Sequence, residues 1–268
     1  MQKTMFLLLL PFLFFAAHAQ DSKKQKRDIR KQKILKLEKQ EEEGVITFRK
    51  QTVFGAKLTN DGFGGFFEIG RSLSPKNTLL FQLEITERNH AKEEKTMNLY
   101  TPAASYIYGK INYFYPIKLG VQKQMVIGNK SNKNGVSVTG NFGGGISLAL
   151  LKPYFLEVFD TATNLKRWIR YESADAALFS NYNALATTYQ AGGPSFSQGW
   201  SGLKVTPGLY TKAALRFDYG RFNEMVSGLE VGLTGEYYAK QIKQMVGSQY
   251  KQFFLNAYVS IIFGKRKS

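Results

Sequence analysis

Apolar and polar residues alternate along most of the chain after residue 51, and this alternation recurs in eight segments. They span residues 52–60, 63–73, 78–87, 106–125, 136–151, 204–219, 226–240 and 252–264. In residues 136–151, for example, Val138, Phe142 and Ile146 alternate with Thr139 and Asn141. A period of two predicts β-strands that turn one apolar face and one polar face to different surroundings.

The length and composition of these segments predict strands that cross a membrane. Several exceed ten residues, whereas strands of soluble proteins commonly have about five or six. Alternating segments of about ten residues are typical of transmembrane strands, and their backbone groups are satisfied in lipid only when the sheet closes. We therefore predict an all-β fold, an eight-stranded antiparallel transmembrane β-barrel over residues 51–264. The alternative, a soluble sandwich or lipocalin-like barrel, would be insoluble with its apolar face outside.

Charged residues occur almost only on the polar face of these segments. Five acids and four bases are predicted to point into the lumen: Lys57, Glu68, Glu84, Lys118, Lys212, Arg216, Asp218, Glu230 and Glu236. An eight-stranded barrel has a lumen just wide enough for side chains to fill it. Because buried charges need partners, this near balance predicts a lumen charge network and argues against an open pore.

The connections between the segments are unequal in length. Residues 74–77, 128–135 and 220–225 form short turns, whereas residues 88–105, 152–203 and 241–251 form longer loops. In outer-membrane barrels the short turns face the periplasm and the long loops face outside. Aromatic residues near segment ends are predicted to form interfacial girdles: Tyr106, Tyr108, Tyr113, Tyr115, Trp168, Tyr219, Tyr237 and Tyr238.

Loop 152–203 is the longest connection, and loops of this length usually have a function or are disordered. It carries a basic and aromatic group that is predicted to bind lipopolysaccharide phosphates or a surface glycan: Lys166, Arg167, Trp168, Arg170 and Tyr171. An ordinary extracellular cap is the simpler interpretation. If the loop held two further strands, the barrel would have ten, an alternative that the weak alternation here does not favour.

The first residues predict export from the cytoplasm. Residues 1–19 combine Lys3, an apolar run from Phe6 to Ala17 and the small-residue site Ala17-His18-Ala19, as in a signal peptide. Residues 20–50 form a charged extension and residues 265–268 a basic tail, both predicted to be periplasmic. Each is a candidate contact for anionic lipid or for a periplasmic or envelope protein.

Net charge and composition limit the partners and the chemistry that the chain can have. The charge of +17 would suggest nucleic acid, but an exported chain makes that partner improbable. The absence of cysteine excludes disulfides and a thiol nucleophile. Beyond the predicted signal peptide the only histidine is His90, which would need a Ser or Glu93 beside it to act as a catalytic base. No cofactor or metal site is predicted.

Residues 115–128, the polar turn at 128–135 and residues 141–154 (NFGGGISLALLKPY) resemble uncharacterised outer-membrane β-barrel proteins of Bacteroidota. Residues 79–87 (LLFQLEITE) and the last strand also carry the resemblance. More loosely, the chain is similar to PorT-like and OmpA-type small barrels. The resemblance implies an outer-membrane location and no agreed activity. We expect a non-enzymatic structural or accessory role, with a lipid- or peptide-hydrolysing enzyme and a small transporter or pore as alternatives.

Overall fold

A computed structural model describes residues 32, 48–97, 105–129, 135–160, 164–171, 192–220 and 224–267. The predicted signal peptide and nearly all of the charged extension lie outside these residues. Within them, no helix is both long enough and apolar enough to cross a membrane.

Eight long strands form a closed antiparallel barrel, which confirms the predicted fold class. The barrel strands are β1 (Lys50–Thr59), β2 (Gly62–Ser74), β3 (Asn77–Arg88), β6 (Asn112–Gly128), β7 (Ser137–Pro153), β10 (Lys204–Asp218), β11 (Met225–Ile242) and β12 (Lys251–Lys267). Each pairs with the next in chain order, and β12 returns to β1, so that Phe54 lies opposite Phe263. Closure leaves no unpaired edge along the barrel wall.

Four short strands belong to the connections. β4 (Lys95–Thr96) pairs with β5 (Tyr106–Ile107), and β8 (Leu156–Asp160) pairs with β9 (Leu165–Ile169). The long loop therefore contains two strands, but they form a separate hairpin and the barrel has eight strands. A one-turn 3-10 helix, Trp200–Gly202, precedes β10.

The strand limits differ from the predictions by at most six residues, and two of these differences have a clear cause. The fourth segment was expected to begin at residue 106, but Gly109 has a φ of 74° and ends the extended run, so that β6 begins at Asn112. The last strand continues to Lys267, three residues past the predicted limit at Gly264, because β1 offers partners as far as Lys50.

The two faces of the barrel wall differ in polarity as a period of two requires. Large apolar side chains are exposed on the outer face of every strand, among them Phe54, Ile69, Phe81, Leu119, Ile146, Leu209, Leu233 and Ile261. The inner face is polar, with two small apolar clusters. This is inverted relative to a soluble protein, in which exposed apolar patches are small.

The two ends of the barrel also differ. The turn end carries the Ser74–Asn77 connection, the two other short turns and the chain positions 48 and 267. The cap end carries the β1–β2 loop, both short strand pairs and residues 243–250. At the cap end, buried apolar side chains pack into a small core of their own: Tyr106, Ile107, Tyr154, Leu156, Val158, Ile169 and Met245.

Candidate functional site

All nine residues predicted for the lumen charge network lie on the inner face and are at most 3% exposed. Strands β1, β2, β3, β6, β10 and β11 supply them. Each lies at an inward position of its strand, as Glu84 does two residues from the buried Gln82. Eight of the nine side chains meet in two groups that are joined by polar contacts, and Asp218 pairs with Arg266 instead.

The first group, the Arg216 cluster, consists of Glu68, Lys212, Arg216 and Glu230. The Arg216 guanidinium lies 2.6 Å from a carboxylate oxygen of Glu68 and 2.6 Å from one of Glu230. The Lys212 ammonium lies 2.8 Å from the second oxygen of Glu230. Two carboxylates thus face two cations, the balance that buried charges require.

The second group, the Lys118 cluster, lies nearer the cap end. Lys118 binds Glu84 at 2.9 Å and Glu236 at 2.7 Å, and Lys57 binds the other oxygen of Glu84 at 2.5 Å. The guanidinium of Arg88 binds Glu236 at 3.0 Å. Arg88 also forms an ion pair with Asp61 at the rim.

Polar side chains connect the two clusters across the lumen. Gln82 donates a hydrogen bond to Glu84 at 3.2 Å and accepts one from Lys212 at 3.5 Å. The Tyr258 hydroxyl donates to Glu230 at 2.7 Å, while the Lys57 ammonium lies 3.8 Å from the centre of the Tyr258 ring. Side chains therefore occupy the lumen from one cluster to the other.

Two network members were not predicted. Arg88 is buried, and its place on the inner face follows from its parity with Glu84 and Thr86, but it lies one residue past the third predicted segment. Arg266 was assigned to a basic tail, but it lies in β12 and binds Asp218 at 2.5 Å. With these two arginines and Asp61, the described ion pairs of the lumen and its rims join six carboxylates to six cations.

The five basic and aromatic residues predicted for loop binding lie on and beside the β8–β9 hairpin. Lys166, Arg167, Trp168 and Arg170 are exposed, and Lys166 makes an ion pair with Glu157 at 3.3 Å. Tyr171 is partly buried and packs against the core of the cap. The hairpin therefore presents three cations and one indole ring at the cap end.

The predicted aromatic girdles are only partly outward. Tyr219 and Tyr237 are exposed on the outer face. Tyr238 is fully buried instead, and its hydroxyl donates to Glu236 in the lumen at 2.6 Å. Tyr106 belongs to the core of the cap. The parity of residue 238 with Glu236 is the signal that would have placed it inside.

His90 lies in the loop that follows β3, between the barrel rim and β4. Its Nδ1 accepts a hydrogen bond from the backbone N–H of Lys92 at 3.1 Å. The backbone N–H of His90, not its ring, donates to Glu93 at 2.9 Å. Partial burial lowers the pKa of His90, and Lys92 and Lys251 add to that effect, while Glu93 opposes it. Among the described residues no hydroxyl is hydrogen-bonded to the imidazole, and none of them form a cluster of three or more potential metal ligands.

Three solved structures are similar to this chain, each at 10% sequence identity. They are the N-terminal β-barrel domain of OprF from Pseudomonas aeruginosa, Neisserial surface protein A, and Ail, the attachment invasion locus protein of Yersinia pestis, in complex with the heparin analogue sucrose octasulfate. The TM-scores are 0.37, 0.37 and 0.35; the alignments cover 81%, 82% and 82% of this chain and 99%, 96% and 99% of the others. No protein-family model and no curated protein matches the sequence.

Proposed function

We propose that this chain is a non-enzymatic outer-membrane β-barrel that anchors a binding cap at the cell surface and conducts no ions. The observation that carries the proposal is the charge-balanced network in the lumen, enclosed by a wall whose outer face is apolar. Lipid suits the outer face, and paired charges suit a narrow, filled interior. The proposed orientation in the membrane places the cap end outside the cell and the turn end in the periplasm.

Exposed cations at the turn end support this orientation. They point away from the lumen near the strand ends: Lys50, Arg71, Lys76, Lys123, Lys265 and Lys267. Lysine and arginine at this level can contact anionic headgroups while their carbon chains follow the apolar wall. The predicted extension over residues 20–50 would lie on the same side, within reach of a periplasmic partner.

Electrical recording tests the filled lumen. Purified protein inserted into planar bilayers is expected to give no stable conductance steps, because Arg216 and Lys118 are held across the lumen by carboxylates of facing strands. Reproducible conductance steps from the wild-type protein would contradict the proposal. Insertion itself is verified separately by a heat-modifiable shift on gels, so that a silent trace from uninserted protein is not mistaken for a closed barrel.

The exposed hairpin is the proposed contact for an anionic envelope polymer. Lys166 and Trp168 lie on one face of the hairpin, and the exposed Arg167 lies on the other. Cations and an indole ring on this hairpin suit sulfate or phosphate groups on a saccharide. Dextran sulfate is a defined probe for this chemistry. Binding is expected to weaken with salt and with the double variant Lys166→Gln/Arg167→Gln, but not with Lys123→Gln at the turn end. An equal loss of dextran sulfate binding in both variants would show that binding depends only on the overall charge, and it would refute the site.

A further inference from the structure

A polar cleft lies on the outer side of the barrel wall at the cap end. Its volume is about 520 Å³, and it lies between the wall, the loop that follows β3 and the segment that contains Phe196. Glu87, Tyr113 and Lys152 line it from the wall. All three have the parity of outward residues. Glu87 and Tyr113 alternate with the buried Arg88 and Phe114, and Lys152 lies opposite Tyr113 in the register. The cleft, which we call the rim cleft, therefore opens beside the membrane and not into the lumen.

Lys152 places a buried cation in the wall of the rim cleft. Its side chain is 1% exposed although it lies on the outer face, because Phe196 and Trp200 cover it. The ammonium donates to the carbonyl oxygen of Phe196 at 2.8 Å and lies 4.9 Å from the centre of the Tyr113 ring. Among the described residues no carboxylate forms an ion pair with it. An ammonium has three donors, so this group can donate further hydrogen bonds to an anion.

An apolar groove lies directly below the rim cleft on the same three strands. It measures about 510 Å³ and is lined mainly by Phe81, Leu83, Leu119, Val121, Gly144 and Ile146. We call it the Gly144 groove, because Gly144 lies between Val121 and Thr211 and leaves a gap in that row of outward side chains. Tyr115 and Leu119 are four residues apart on β6, which corresponds to a depth difference of about 10 Å for a strand tilted by roughly 40°.

We propose that the rim cleft and the Gly144 groove together bind one phosphorylated glycolipid of the outer leaflet. The phosphate contacts Lys152, the saccharide packs on Tyr113 and donates hydroxyl hydrogen bonds to Glu87, and an acyl chain lies in the groove. The carboxylate of Glu87 disfavours heads with several negative charges and suits hydroxyl donors. Phosphatidylglycerol also has one phosphate and hydroxyl donors, but it has no sugar ring to pack on Tyr113. This site rests on the proposed outer-membrane placement.

A second groove in the wall provides an internal control. It measures about 420 Å³ and is lined by Leu209, Leu233, Gly235, Phe253 and Leu255, among others. This second groove is similar to the Gly144 groove in size and polarity. The rim cleft, however, lies above the Gly144 groove and not above the second one. Val121→Trp fills the Gly144 groove, whereas Leu255→Trp fills this second groove with the same side chain.

Lipid retention in nanodiscs of phosphatidylcholine tests the proposal. The probes are monophosphorylated lipid A and phosphatidylglycerol, quantified by mass spectrometry after purification. We expect the wild-type protein to retain the glycolipid and not phosphatidylglycerol. Lys152→Met should reduce retention on the order of tenfold, since one charge-assisted hydrogen bond is lost. Val121→Trp should also reduce it, and Leu255→Trp should not.

The outcomes separate this inference from the proposed function. Equal retention by Lys152→Met, Val121→Trp and the wild-type protein would overturn the site, as would equal retention of phosphatidylglycerol. If the barrel inserts into nanodiscs and retains no glycolipid, only this inference fails. If it does not insert, as judged by protease protection of the strands, the outer-membrane proposal itself fails.

Discussion

At the scale of single residues, Glu230 has the densest set of partners in the lumen. Its two oxygens contact Arg216, Lys212, Asn141 and Tyr258, all within 2.8 Å. The side chain is fully buried. Desolvation of a carboxylate costs several kcal/mol, so the pairing compensates a large penalty and contributes little net stability. Loss of one partner should therefore cost much more than the pair contributes.

Glu230→Gln leaves two buried cations with only Glu68 between them. We expect the free energy of unfolding to fall by about 3–5 kcal/mol, as for other broken buried pairs. Urea unfolding in lipid vesicles, followed by the heat-modifiable gel shift, measures it. Glu157→Gln is the matched control, because it removes the same charge from an exposed pair with Lys166 and should cost at most about 1 kcal/mol. Equal effects of the two variants would contradict the network's role.

The pKa of His90 is a second residue-level test. It is lower in the folded protein than its usual value of about 6.5, mainly because of partial burial. The folded state then binds fewer protons than the unfolded state just below that value, so the cap is fully stable at higher pH and loses stability as pH falls through this range.

Proton titration by NMR should thus give His90 a pKa below that of a histidine in a short peptide. Glu93→Gln should lower it further, because Glu93 opposes the shift. With the signal peptide removed, His90 is the only histidine in the chain, so its resonance needs no assignment. A pKa at or above the peptide value would show that the loop does not hold the ring as described.

At the scale of elements, the strands were predictable and the pairing between their side chains was not. A period of two assigns each residue to the inner or outer face, which is why all nine lumen residues lie inside. Which carboxylate meets which cation depends on the register of the closed barrel, and Arg216 and Glu68 are 148 residues apart. Lys152 is an exception to this rule. It is outward by parity, but the segment that contains Phe196 buries it.

The cap depends on contacts that alternation does not encode. Tyr154 accepts a hydrogen bond from the backbone N–H of Ile107 at 2.8 Å, which ties β5 to the end of β7. Burial raises the pKa of this phenol, so it stays protonated at ordinary pH. The ion pair of Lys110 and Glu93, at 2.5 Å, fastens the same loop.

Tyr154→Phe should loosen the cap and leave the barrel intact. A buried N–H loses its acceptor, which typically costs about 1–3 kcal/mol. Limited proteolysis is expected to cut the loop residues faster in this variant, while the heat-modifiable shift of the barrel stays as in the wild type. Tyr219→Phe, at an exposed turn-end position, serves as the control and should cut at the wild-type rate. Loss of the barrel shift in Tyr154→Phe would mean that cap and barrel unfold together.

At the scale of the whole molecule, the apolar outer wall makes a prediction that depends on depth. Leu119 lies near the middle of β6, and Leu73 lies near the turn end of β2. Arginine costs about 2–4 kcal/mol at the centre of a bilayer and about 0–1 kcal/mol near its surface. Leu119→Arg should therefore lower the stability in vesicles far more than Leu73→Arg. Similar effects of the two variants in vesicles would contradict a membrane-spanning barrel.

Two further predictions stay predictions. The signal peptide lies outside the described residues, and the similar solved structures do not bear on a resemblance to barrels of Bacteroidota. The eight-stranded architecture, in contrast, follows from the segments themselves. Their number, their length and the clean separation of polar and apolar faces sufficed to predict it. The small core of the cap could not be predicted from the sequence, because its members come from four separate stretches that share no periodic pattern.

Closure between the first and last strands has a consequence for the order of folding. The N–H of Arg49 donates to the carbonyl of Lys267 at 2.8 Å, and β12 must arrive before β1 has its second neighbour. Until then the strands form an open sheet whose lumen carboxylates and ammonium groups are still hydrated. Barrel closure thus requires pairing between β1 and β12, which are far apart in the sequence. Contacts of such long sequence separation form slowly. A chain cut before β12 would expose two free edges and should aggregate or need a holding chaperone.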